Sequence, residues 1–188
     1  MGGETMKILM TDRDYAIIEF IKEFKCVSTT TITRLFFASQ ATAERRLKKL
    51  VEAKKIHRTR DSVISEYIYY IKKRPTNIKH SLIISDVYSK LMTEQSIQLI
   101  KYKREYELKF KSKSLRTDLM AIIKSNDKLI PILIEIDLTK KYKDKYSEYI
   151  AQGYYQQKFG VKPEVLVISD RTPESKIQIH WYKLKELE

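Results

Sequence analysis

The sequence predicts a chain of two domains, the first of α+β and the second of α/β character. Three observations carry that expectation. Helix-like stretches with apolar spacings of three and four fill the first third and end in two short strand-like runs. A break follows at "KKRPTN", where Pro75 disfavours helix at Arg74. The remainder then reads helix, three strands, helix, strand and a further short strand, an order that requires at least one parallel crossover. The expected domains are therefore residues 1–74 and 75–188.

The first helix opens at Thr11 and Asp14, a pair suited to a capping box. Tyr15, Ile17, Ile18, Ile21 and Phe24 trace its inward stripe. "CVSTTTITRLFF" holds a shorter helix capped by Ser28 or a following Thr, with Ile32, Leu35 and Phe36 inward. In "SQATAERRLKKLVEAKKI", Ala43, Leu47, Leu50 and Val51 share one face. Thr42, Arg45, Arg46 and Lys49 share the other, flanked by Lys48. "KIHRTR" and "EYIYYIKK" then make a hairpin around a turn at Asp61–Ser62.

That order is the order of a winged helix-turn-helix, and "SQATAERRLKKLVEAKKIHR" resembles the recognition helix and first wing strand of bacterial winged-helix regulators. The resemblance implies a third helix in the major groove of double-stranded DNA. The candidate contacts are Thr42, Arg45, Arg46, Lys48, Lys49, Lys54, Lys55, Arg58 and Arg60. Net charge supports a polyanionic partner: it is +13, and both halves of the chain are basic.

Composition excludes other classes. Hydrophobic residues make up 43% of the chain, enough for packed cores. No apolar run has the length of a membrane span, and "MGGETMK" lacks a signal-peptide core, so a cytoplasmic protein without membrane association is expected. The single cysteine, Cys26, forms no intrachain disulfide or cysteine zinc cage and reads as a small buried residue. His57, His80 and His180 lack metal-ligand spacing, and the chain carries neither a glycine-rich phosphate loop nor a nucleophile elbow.

In the second domain, Thr76 or Asn77 caps a helix carrying Leu82, Ile83, Val87, Leu91 and Met92. The strands are "SIQLIKYKREYEL", "TDLMAIIK", "LIPILIEIDLT" and "EVLVISD", with "KIQIHWYKL" as a further one. "KKYKDKYSEYIAQGYYQQKFG" reads as one helix ended by Gly160. Glu135 and Asp137 point to one side of their strand, because alternate residues share a face. Asp118 sits near the start of the preceding strand and approaches them if the two strands pair. Several buried carboxylates need compensation, and Mg²⁺ or Mn²⁺ is the expected cofactor if a metal supplies it.

This arrangement resembles the PD-(D/E)xK nuclease superfamily, and the resemblance implies a restriction-endonuclease-like α/β domain. Asp118 takes the place of the first metal-binding acid and Glu135 that of the second. The lysine position two residues on holds Asp137 instead. The chain is more similar to the replication-relaxation family of plasmids and mobile elements. That resemblance rests on Glu135-Ile136-Asp137 and the helical Lys145 to Tyr149 spacing, with Thr117-Asp118-Leu119 replacing the family's Pro-Asp-Gly. It implies catalytic or metal roles for Asp118, Glu135 and Asp137. Lys145 would supply the missing positive charge, with Lys140 and Lys141 as alternatives. Two functions remain open. The favoured one is a DNA-binding accessory or regulatory protein of mobile-element replication or transfer, with a degenerate nuclease-like domain. Replication or relaxase proteins, or a second copy of the chain, would be its protein partners. The other is a metal-dependent DNA endonuclease or nicking enzyme.

Overall fold

The computed structural model describes residues 8–60, 62, 65–138, 142 and 144–183. The chain separates into two compact units, Met1–Thr93 and Glu94–Glu188. Each contains one sheet, and the architecture is mixed α and β.

The first unit runs α1 (Asp12–Phe24), β1 (Cys26–Ser28), α2 (Thr29–Phe36), α3 (Gln40–Glu52), β2 (His57–Thr59), β3 (Ile68–Tyr70) and α4 (Ile78–Thr93). The helix starts follow from hydroxyl and carboxylate caps. Thr11 and Asp14 form a reciprocal capping box on α1. The Ser28 hydroxyl accepts from the Thr31 amide at 3.1 Å and caps α2. Ile17, Phe20, Ile21 and Phe24 of α1 are buried, whereas Tyr15 is exposed; Phe20, not Tyr15, carries the inward stripe. Of the expected inward residues of α2, Ile32 is buried while Leu35 and Phe36 are half-buried.

β1 lies within a stretch expected to be loop and helix. Its three residues are all buried and pair antiparallel with β3, which also pairs with β2, giving the order β1-β3-β2. The expected turn residue Asp61 lies outside the described residues.

α4 was grouped with the second domain on sequence; it packs within the first unit. Its Tyr88 ring sits 5.5 Å from Phe20 and 5.0 Å from Phe24. Arg34 of α2 reaches Asp86 at 2.5 Å and bonds Ser89 of the same helix. Ser81, Ser85 and Ser89 are buried along one stripe of α4, and small side chains there permit close approach. Ser85 and Ser89 donate to the helix carbonyls of Leu82 and Asp86, which avoids unsatisfied hydroxyls. Met92, among the apolar residues of this helix, is 49% exposed.

The second unit runs β4 (Gln98–Phe110), β5 (Lys113–Ser125), β6 (Lys128–Asp137), α5 (Ser147–Ala151), α6 (Gln156–Phe159), β7 (Glu164–Ser169) and β8 (His180–Tyr182). The sheet order is β4-β5-β6-β7-β8, antiparallel through β6 and parallel from β6 to β8. Asn126 and Asp127 both adopt positive φ between β5 and β6, the backbone that a two-residue hairpin loop needs and that Asn and Asp tolerate. The expected single helix after β6 is two short ones. Gly153, at φ 71°, interrupts it, and Gly160, also at φ 71°, ends α6 as a left-handed cap. Met120, Leu133, Val165 and Val167 cluster with Tyr146, Tyr149 and Ile150 beneath α5. No helix among the described residues is long and apolar enough to cross a membrane.

Candidate functional site

Two groups of side chains carry chemistry, one in each unit.

In the first unit, α3 buries Ala43, Leu47 and Leu50 and exposes Thr42, Arg45, Lys48 and Lys49. The spacing enforces this, since 43, 47 and 50 return to one side of a 3.6-residue turn. Arg45 is held along its own helix by the Ala41 carbonyl at 3.3 Å and the Thr42 hydroxyl at 3.5 Å. Lys48 lies 3.9 Å from Glu52, a pair too exposed to immobilise either charge. Lys54, Lys55 and Arg60 are exposed beyond the helix. Arg58 and Arg60 both lie over the Tyr67 ring, at 4.1 and 5.0 Å from its centroid. The result is a cationic face running from α3 onto β2.

Arg46 does not belong to that face. Its Nε donates to Asp14 Oδ1 at 2.8 Å, its Nη2 bonds the other Asp14 oxygen, and Nη2 also donates to the Leu9 carbonyl at 2.8 Å. Asp14 is fully buried. Burial raises the Asp14 pKa, but the Arg46 bonds and the Thr11 amide and hydroxyl outweigh it, and the carboxyl titrates below its ordinary range. Arg46 is thus a tie between α1 and α3. The sequence held a signal for this: Arg46 sits three residues after Ala43 and four before Leu50, on the edge of the buried stripe.

In the second unit, the β5–β6 ladder ends at Leu119↔Ile134. Continuing that register sets Asp118 opposite Glu135. The ladder does not continue there; instead Asp118 Oδ2 accepts from the Ile136 amide at 2.8 Å, so the carboxylate satisfies a main-chain donor. Glu135 is 17% exposed at its side chain. Lys145 Nζ donates to Glu135 Oε1 at 2.7 Å and to the Arg116 carbonyl at 2.5 Å. The Tyr146 hydroxyl donates to Glu135 Oε2 at 2.9 Å. Burial raises the Glu135 pKa and the neighbouring Asp118 charge adds to this, while Lys145 and Tyr146 oppose it; the net shift is upward. Burial and the Glu135 charge likewise hold Tyr146 well above the usual phenol range.

The structure therefore brings Asp118, Glu135 and Lys145 together and adds Tyr146, which sequence reasoning missed. Tyr149, singled out by its spacing from Lys145, lies in the apolar cluster, where burial pushes its phenol up to about 12. Asp137 is half-buried at the end of β6, opposite Ser169. Lys140 and Lys141 lie outside the described residues. Among the described residues no group of three or more His, Cys, Asp or Glu side chains is placed to hold a metal ion. Lys145 and Tyr146 meet the Glu135 carboxylate, and the Ile136 amide meets that of Asp118. The histidines remain apart: His57 stacks on Tyr70, and His180 meets Glu164 at 2.8 Å.

No protein-family signature matches the chain, and no curated protein is significantly similar to it. The chain is similar to the crystal structure of protein VC1899 from Vibrio cholerae, at 14% identity and a TM-score of 0.39. That similarity covers 79% of this chain and 40% of the other.

Proposed function

We propose that this protein is a DNA-binding accessory or regulatory protein of mobile-element replication or transfer. Its first unit would act as a winged helix-turn-helix and its second as a nuclease-like scaffold without active metal chemistry. The observation that carries the reading is α3, whose apolar side is buried while Arg45, Lys48 and Lys49 project outward together. A helix of this kind suits the major groove, with its cations on phosphates and base edges. The Arg58–Arg60 pair over Tyr67 extends the same charge along β2. The test is duplex binding by the wild type and by the Arg45→Ala/Lys49→Ala variant. Loss of affinity with an unchanged melting temperature supports the assignment, and equal affinity removes it.

Engagement of Glu135 by Lys145 at 2.7 Å favours a second reading, a metal-dependent DNA nuclease with its lysine supplied from the segment before α5. A cation beside paired acids orients an attacking group and stabilises developing negative charge. Supercoiled plasmid with Mg²⁺ or Mn²⁺ separates the two. Nicking that disappears in Asp118→Ala supports the nuclease, and retarded but intact plasmid supports the binding protein.

A further inference from the structure

α3 carries an acid on the side that would meet a polyanion. Glu44 is exposed there beside Arg45 and Lys48. A glutamate four residues before a lysine ordinarily pairs with it along a helix. Glu44 turns the other way: its Oε1 accepts from the Gln40 side-chain amide at 2.8 Å, while Lys48 lies 3.9 Å from Glu52. A carboxylate only accepts, so the Gln40 atom facing it is the NH2 group, and the Gln40 carbonyl points to other donors. The pair therefore offers two acceptors, Gln40 Oε1 and Glu44 Oε2, on the first two turns of α3. Both residues line a groove that Arg58 of β2 and Tyr67, just before β3, also line. The other acid of that groove, Glu66, is already engaged: it accepts from the Thr30 amide and hydroxyl, each at 2.9 Å. Ala41, one turn before Arg45 and exposed, adds only a methyl group, so the start of the helix can come close to a surface.

We propose that Glu44 sets the sequence preference of α3 by accepting from the N4 amino group of a cytosine in the major groove, with Gln40 holding its carboxylate and adding a second acceptor. The inference rests on the reading of α3 as a DNA-contacting helix. Base edges differ at this point of the major groove: cytosine and adenine show an amino donor, whereas guanine and thymine show a carbonyl acceptor. A surface of paired acceptors attracts the first two and repels the others, and a carboxylate suits cytosine N4. Phosphates offer Glu44 no favourable contact, because they share its charge. Arg45 and Lys49 would then supply affinity for any sequence, as backbone contacts do. Glu44 opposes that affinity except where a cytosine donor meets it, which is discrimination by a repulsive element as well as an attractive one.

The test is selection of bound duplexes from a randomised pool by the full chain, followed by affinity measurements on the selected and scrambled duplexes. Three proteins are compared: wild type, Glu44→Ala and Arg45→Ala/Lys49→Ala. Glu44 is exposed and alanine is the best helix former, so the first variant keeps α3 folded. The wild type should select duplexes with a required cytosine, and exchanging it for thymine, which turns the donor into an acceptor, should cost about tenfold in affinity. In Glu44→Ala the same exchange should cost less than about twofold, while the scrambled duplex binds as well or better because an acid is gone. The Arg45→Ala/Lys49→Ala variant should lose affinity for both duplexes. The proposal is overturned if Glu44→Ala selects the same sequence with the same cost of exchange. It is equally overturned if the wild type binds duplexes without any preference. In both cases the DNA-contacting role of α3 stands as long as the Arg45→Ala/Lys49→Ala variant loses affinity. If the wild type binds no duplex, the proposal and that role fail together.

Discussion

Replacing Arg46 by methionine keeps most of the stem and removes the guanidinium. Asp14 is then left fully buried with only Thr11 to meet its charge. Breaking a buried pair by removing one partner costs about 3–5 kcal/mol, chiefly through the uncompensated charge. Arg46 retains 23% side-chain exposure, so some water reaches the gap and the lower end of that range applies, about 3 kcal/mol. The Leu9 carbonyl also loses its donor, but the exposed Leu9 segment can turn to water. For a domain of this size, each kcal/mol moves Tm by roughly 4–8 °C, so the first unit should melt about 12–24 °C lower. Arg45→Met one residue earlier touches only exposed partners and should stay within about 0.5 kcal/mol of wild type. Chemical denaturation of both variants, followed at the tyrosines, measures the contrast. If Arg46→Met and Arg45→Met unfold alike, Arg46 is a surface cation and the tie between α1 and α3 is wrong.

Asp14 also sets an acid limit. Its folded pKa lies below the unfolded value of 3.8, so its stabilisation is present above that value and is lost as pH falls through the folded pKa. The stability gap between wild type and Asp14→Asn should therefore narrow on acidification below about pH 4. Glu135 has the opposite sign: its folded pKa is raised above 4.5, so folding is favoured most below that pH and loses ground as pH rises through the folded value. Glu135→Gln should accordingly leave the second unit as stable or more stable at pH 8 in chelator, with no gain at pH 4; a clear loss at pH 8 means that the Lys145 pair outweighs burial. Lys145→Met should destabilise the second unit at pH 8 and raise the Glu135 pKa further. In a Glu135→Gln background the same substitution should cost much less, which a double-mutant cycle reads directly.

The parts legible in the sequence are those fixed by local periodicity. α1 and α3 were readable because their buried residues recur at three and four, and the Thr11–Asp14 box announced its own helix start. β1 was not readable: three residues, all buried, show no alternation and sit between two helices. α4 could be found as a helix, but its buried serines say nothing of what it packs against, so it was assigned to the wrong side of the division. The break at Gly153 lay inside an otherwise helical pattern, and one glycine there is compatible with continuation as well as interruption. At the candidate site, the shared strand face brought attention to Glu135 and Asp137, and pairing brought Asp118 to Glu135. The pattern left a metal or a cation such as Lys145 as compensation; the structure places the Lys145 ammonium, the Tyr146 phenol and a backbone amide against the carboxylates. Those contacts are set by how the chain after β6 returns to the sheet, which no local pattern records. Arg46 shows the same limit: its charge argued for DNA, and only Asp14, far away in sequence, reveals its partner.

The central claim is that the exposed cations of α3 meet DNA phosphates. Affinity for a duplex measured across salt concentrations tests it most directly, because each phosphate contact contributes about 0.9 to the slope of log affinity against log salt. Loss of both Arg45 and Lys49 should make that slope shallower by about 1.8, with melting temperature unchanged. A slope identical to wild type would mean that α3 makes no backbone contact and that the basic face serves something else.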